Sequence, residues 1–222
     1  MELQEQLKEI KTQLRLSMNG VVSQSMREKG LDYKLNFGVE LPRIREIASG
    51  YEQNHDLAQT LWKENIRESK ILAAMLQPID SFFPEIADIW VEDMHYSEIA
   101  ELTCMNLFQY LPYAPAKAFR WIADDREYFQ LCGFLLAARL FMRGLQLNER
   151  AESEFFDQSL TAMQCESFSV RKAAMLSLKK YGLQGHSQAS NVNKILLSIN
   201  FSSKEDLLSM CEEIRFEIEY LL

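Results

Sequence analysis

Residues whose types and spacing suit chemistry fall in two places along this chain. The first is YSEIAE, residues 96–101, where Glu98 and Glu101 stand three positions apart in a helical pattern. Carboxylates so spaced share one edge of a helix and suit acid–base work; equally, each is an ordinary solvated surface acid. Tyr96 opens the same segment and offers an aromatic face. The second place is VRKAAMLSLKKYG, residues 170–182, where Arg171, Lys172, Lys179 and Lys180 recur after about two helical turns. They make a basic stripe suited to phosphates, or a charged outer face. Lys63, Arg67 and Lys70 would extend that patch, although RESK (67–70) reads equally well as a charged turn entering a helix.

Other chemistries find little support. No GxxxxGK, GxGxxG or GxSxG run occurs, so the usual phosphate cradles and nucleophile elbows are missing. Cys104, Cys132, Cys165 and Cys211 form no CxxC pair and read as buried thiols of a reducing cytoplasm. His55, His95 and His186 lie near no cysteine, so neither a metal site nor a cofactor is expected. Trp62, Trp90 and Trp121 fall within apolar stripes, where core packing is the natural role. The cluster of Tyr96, Phe108, Tyr110 and Tyr113 is less settled, since Tyr113 follows Pro112 in a corner and Tyr96 opens a helix.

These groups must be held by a chain of 222 residues, 47% hydrophobic and 25% charged, long enough for a substantial core. Eight glycines and five prolines are too few for a turn-rich β fold. The formal charge of −8 opposes nucleic acid unless charge is segregated, and it partly is. Residues 80–130 carry ten acids and three bases, a net of −7; residues 165–195 carry one acid and five bases, a net of +4. No apolar run reaches the roughly 18 residues of a membrane span. The opening MELQEQLKEIKTQL is charged, without the apolar core of a signal peptide.

Periodicity is helical nearly everywhere. Leu3, Leu7, Ile10 and Leu14 define a first helix over 2–16, and a second covers 18–29, stopping at Gly30. A third starts at Pro42 and ends near Gly50. Further helices are predicted over 55–65, 67–77, 84–94, 97–111, 115–123, 126–143, 149–164, 168–181, 189–199 and 203–221, with Ser203 and Asp206 at cap spacing. No strand is expected. Three segments repeat one plan, an apolar helix, a charged turn and an Ala/Leu-rich helix: LAQTLWKENIRESKILAAML, KAFRWIADDREYFQLCGFLLAARL and FFDQSLTAMQCESFSVRKAAMLSL. Their small residues (Ala73, Ala74; Ala137, Ala138; Ala173, Ala174) allow close helix approach. The pattern predicts an all-α solenoid of antiparallel helix pairs, one HEAT-like repeat domain over 1–222. Within it, 183–191 reads as an exposed loop and 192–222 as a C-terminal helical extension. The last helix carries six acids and an apolar face of Leu207, Leu208, Cys211, Ile214, Ile218 and Leu221, for capping the repeat stack or for an oligomer contact.

NFGVELPRIREIA (36–48), LAQTLWKENIRESKILAAML (57–76), CMNLFQYLPYAPAKAFRW (104–121), GFLLAARL (133–140) and VRKAAMLSLKKYG (170–182) resemble the AlkD-type DNA alkylation repair enzymes, HEAT-like alkylpurine DNA glycosylases. The resemblance covers about residues 20–182. It implies a curved solenoid holding duplex DNA on its concave face. It also implies excision of cationic alkylated purines, helped by an Asp, two Trp faces and an Arg. Anionic and π-rich groups lower the barrier to an oxocarbenium-like sugar.

Carried over by position, the family's WDxCD run falls on SEIAE, so its catalytic Asp becomes Glu101 and its first Trp becomes Ser97. The Lys and Arg of KRAGF become Gln130 and Leu131, and the second Trp becomes Leu176, while Arg171 and Lys172 are retained. Tyr96, Ser97, Glu98, Leu131 and Leu176 are thereby expected to line the substrate groove, with Glu101 the remaining catalytic carboxylate. Arg171, Lys172, Lys179 and Lys180 are expected to bind DNA. The expectation is a family member with a degenerate glycosylase site that contacts double-stranded DNA in a salt-sensitive way. The alternatives are a non-enzymatic scaffold for a protein partner, and an active glycosylase rebuilt around Glu101.

Overall fold

The computed structural model describes residues 2–198 and 205–222. Among them are thirteen α-helices and no strand; one isolated bridge joins Leu35 and Ile66. They form two compact units, residues 1–111 and 112–222.

The first unit holds α1 (Leu3–Leu16), α2 (Gly20–Glu28), α3 (Leu41–Ser49), α4 (His55–Trp62), α5 (Arg67–Leu76), α6 (Pro84–Glu92) and α7 (Ser97–Asn106). Proline in the first turn of α3 and α6 supplies a helical φ where no amide partner is needed. Asn19 and Asn54 cap α2 and α4 by accepting from Val22 N and Leu57 N. The centre of this unit is α5, packed by α3, α4 and α7 and buried at every position but Met75. Beside it, Trp62 and Trp90 stack with ring centroids 3.9 Å apart and planes 4° from parallel.

One glycine in this unit is obligatory. Gly38 has φ +68, and a Cβ there would collide with Asn19 O and Ser23 N. Close approach lets Asn19 N donate to Phe37 O (2.9 Å) and Ser23 Oγ to Asn36 O (2.7 Å). The 36–39 turn is thus fastened to the start of α2.

The second unit holds α8 (Ala114–Ile122), α9 (Glu127–Met142), α10 (Glu149–Ala162), α11 (Phe168–Gly182), α12 (His186–Ser198) and α13 (Glu205–Ile218). Its centre is α9, packed by α8 and α11 and buried on most of its circumference. Gly133 makes the α8 contact possible: a Cβ would sit 2.6 Å from Ile122 N and 2.9 Å from Ala118 O. Ala137, Ala138, Ala173 and Ala174 are all buried at these helix contacts, as expected.

Two details differ from the sequence reading. The loop expected over 183–191 shrinks to residues 183–185, because α12 begins at His186. Its first residues are polar because they face outward, while Ala189, Val192 and Leu196 form the buried stripe. The helix expected over 97–111 ends at Asn106, and a 3-10 turn over Phe108–Tyr110 leads to Pro112. The cap expected from Ser203 and Asp206 lies outside the described residues. Helix α13 packs on α11 with Leu207, Cys211, Ile214 and Ile218 buried, while Leu208 of the expected face is exposed and Leu221 half-buried.

Candidate functional site

Helix α7 carries the acidic segment, and its placement depends on α5. Arg67, on the first turn of α5, is 4% exposed. Its Nε donates to Glu98 Oε2 (2.8 Å) and its Nη2 to Glu98 Oε1 (2.5 Å), while Nη1 donates to Val39 O (3.0 Å) and Glu68 Oε1 (3.1 Å). Glu68 is fully buried and accepts from the backbone amides of Phe37 (3.1 Å) and Val39 (3.2 Å). Burial disfavours the Arg67 charge, but the hydrogen bonds and charges of Glu98 and Glu68 outweigh it and hold the guanidinium above its ordinary range. Glu98 is therefore an anchored ion-pair partner, and the free acid–base pair with Glu101 is not formed.

Arg67 and Lys70 do not extend a surface patch either. Lys70 Nζ donates to Trp62 O (3.0 Å) and Asp93 Oδ2 (2.5 Å) and lies 4.5 Å from the Trp62 ring centroid. Only Lys63 of that trio is exposed. The helical frame of α5 turns the other two inward.

Tyr96 occupies the position just before α7, half-buried, with its ring centroid 4.2 Å from that of Tyr33 at 43°. Tyr33 is buried, and its hydroxyl has no hydrogen-bond partner. Burial first, then the Glu98 charge, push its phenol far above the usual range, so it stays neutral. Ser97 is half-buried. Glu101 is exposed on the next turn of the helix and pairs with no base among the described residues.

The remaining positions lie in the second unit. Leu131, expected in the groove, is 2% exposed in α9 and packs in the core. An alkyl side chain at the heart of a helix buried on most sides has no route to DNA. Leu176 is half-buried on α11. Arg171 Nη1 donates to Cys165 O (2.8 Å) and Glu166 O (2.9 Å), so it ties the α10–α11 turn together while staying half-exposed. Lys172 is exposed, Lys180 half-exposed. Lys179 is 16% exposed and ion-paired to Glu217 (3.3 Å) and Glu213 (3.7 Å) of α13. Against the four cations of the stripe, these two carboxylates leave a local net of +2.

Sequence reasoning missed Arg67 as the partner of Glu98, Tyr33 as the partner of Tyr96, and Phe168. Phe168 opens α11, is 57% exposed, and has Lys172 Nζ 4.6 Å from its ring centroid. Among the described residues no group of three or more His, Cys, Asp or Glu could hold a metal ion, and no helix is long and apolar enough to cross a membrane.

Residues 10–191 match the family of the DNA alkylation repair enzyme. The chain belongs to the DNA alkylation repair enzyme family. No curated protein matches it. A solved structure from a new family of proteins related to the HEAT-like repeat DNA glycosylases, with affinity for branched DNA structures, is similar at a TM-score of 0.81 and 15% identity. The match covers 96% of this chain and 94% of that one. At such identity the likeness shows the fold, and it is the HEAT-like, all-α class expected for an alkylation-repair family member.

Proposed function

We propose that this alkylation-repair family protein contacts DNA through the open part of the α11 basic stripe, while its alkylpurine-excision site is degenerate. The supporting observation is the fate of the positions that resemblance makes catalytic. Leu131 is buried, Leu176 and Ser97 are half-buried without a π-face, and Glu98 is held by Arg67. Glu101 is left as a lone exposed carboxylate. One carboxylate without aromatic faces or a guanidinium stabilises a departing cationic base poorly. Lys172 and Lys180 remain available for phosphate, and the affinity of the similar structure for branched DNA makes DNA the natural ligand.

The test has two arms. Binding of labelled blunt and branched DNA at low salt, weakening steeply as salt rises, is expected. Release of methylated purine from an alkylated duplex is expected to be no faster than without protein. Failure to bind any DNA at low salt would leave the scaffold for a protein partner as the better account.

A second reading is an excision site rebuilt around Glu101, the exposed carboxylate of α7. Purine release abolished by Glu101→Gln would establish it in place of the degenerate site.

A further inference from the structure

Phe168 has no packing role that accounts for it. It occupies the first position of α11, outside the buried stripe of Val170, Ala173, Ala174, Ser177, Leu178 and Tyr181, and the residue is more than half exposed. The turn that presents it is fixed. Ser167 Oγ caps α11 through Val170 N (3.3 Å) and also donates to Glu127 Oε1 (2.6 Å), and Arg171 holds the carbonyls of Cys165 and Glu166. Two cations lie over the ring, Lys172 Nζ at 4.6 Å and Arg171 Cζ at 5.7 Å from its centroid, and a stacked base takes the face left open or displaces the Lys172 ammonium toward its phosphate. An exposed aromatic presented on a hydrogen-bonded turn, beside a lysine that pairs with no acid among the described residues, is the arrangement that takes a nucleobase on the ring and a neighbouring phosphate on the charge.

We propose that Phe168 stacks on an unpaired nucleobase of DNA while Lys172 takes an adjoining phosphate, so that this surface prefers DNA with unpaired bases over blunt duplex. The proposal rests on the DNA-contacting reading above and specifies what in the DNA is recognised. A paired, stacked base offers no free face to the ring. An unpaired base at a junction or gap offers one without the cost of extrusion.

The experiment compares wild type, Phe168→Ala, Phe168→Leu and Phe168→Trp by fluorescence anisotropy on a blunt duplex and on a three-way junction with two unpaired thymines at its centre. Phe168→Ala and Phe168→Leu are expected to lose roughly tenfold to a hundredfold in junction affinity, the size of one base–aromatic stack. Phe168→Trp should retain it. Blunt-duplex affinity and the salt slope should be unchanged in all three, because stacking carries no net charge. Equal junction affinity for wild type and Phe168→Ala overturns the inference while leaving DNA contact intact. A Phe168→Leu variant as tight as wild type does the same, since it shows an apolar contact without stacking. Absence of DNA binding by wild type and every variant at low salt overturns the DNA reading itself, and the inference with it.

Discussion

Arg67 and Glu98, thirty-one residues apart, are joined by two hydrogen bonds, Nε to Oε2 at 2.8 Å and Nη2 to Oε1 at 2.5 Å. The same guanidinium meets Glu68, so one cation serves two carboxylates and ties α5, α7 and the 36–39 turn together. Arg67→Ala leaves Glu68 buried and without its cation, which should cost about 3–5 kcal/mol. Arg67→Lys should recover only part of this, because an ammonium cannot reproduce the fork. Urea unfolding measures both, and a loss below about 1 kcal/mol for Arg67→Ala would contradict the network's role.

The helix contact at Gly133 predicts a second effect. Gly133→Ala drives a methyl into the backbone of α8 and should destabilise by about 1–3 kcal/mol. Gly20→Ala, at the start of α2 with nothing within 4 Å of its Cβ position, is the control. It should be neutral or stabilise by about 0.4–1 kcal/mol by restricting the unfolded chain. Thermal unfolding should therefore show a lower midpoint for Gly133→Ala and an unchanged or higher one for Gly20→Ala.

Cys211 reports on the docking of α13. Burial first, with a smaller contribution from Glu212 working against Arg215, pushes its thiol from 9.0 up to about 11. Because the folded value lies above the unfolded one, the stability linked to this thiol is fully present below pH 9 and is lost as pH rises through about 11. At pH 8, iodoacetamide should modify Cys211 in the folded protein roughly 100-fold more slowly than in the unfolded chain. Equal rates would mean that α13 does not stay docked.

Charge on α11 should be readable in the salt dependence of DNA binding. Lys172→Gln removes one phosphate contact and should reduce the log–log slope by about 0.9 with little change in stability. Neutralising Glu213 and Glu217 together frees Lys179 from its two carboxylates, and the slope should steepen by a similar amount. Unchanged slopes in both would remove α11 from the interface.

The helices were legible because local signals mark them. Pro42 and Gly50 punctuate α3, and Leu7, Ile10 and Leu14 trace the buried side of α1. Where polarity mimicked a loop, at His186–Gln188, the buried Ala189 and Val192 were the overlooked clue. The candidate site was less legible for a physical reason. RESK has the composition of a solvated turn, and its inward orientation follows from partners distant in sequence, such as Glu98. Leu131 had an expected groove role by position alone, whereas the apolar run around it pointed to burial. Phe168 had a visible sign, an aromatic two positions ahead of its helix's apolar stripe.

The parallel indoles of Trp62 and Trp90 give the first unit a chromophore that the second lacks, since Trp121 is the single tryptophan of residues 112–222. Rings in such register couple their electronic transitions, so near-ultraviolet dichroism follows residues 1–111 while Trp121 emission can be isolated in a Trp62→Phe, Trp90→Phe background. The chain thereby carries its own two-colour optical gauge of whether its halves melt in concert or in sequence.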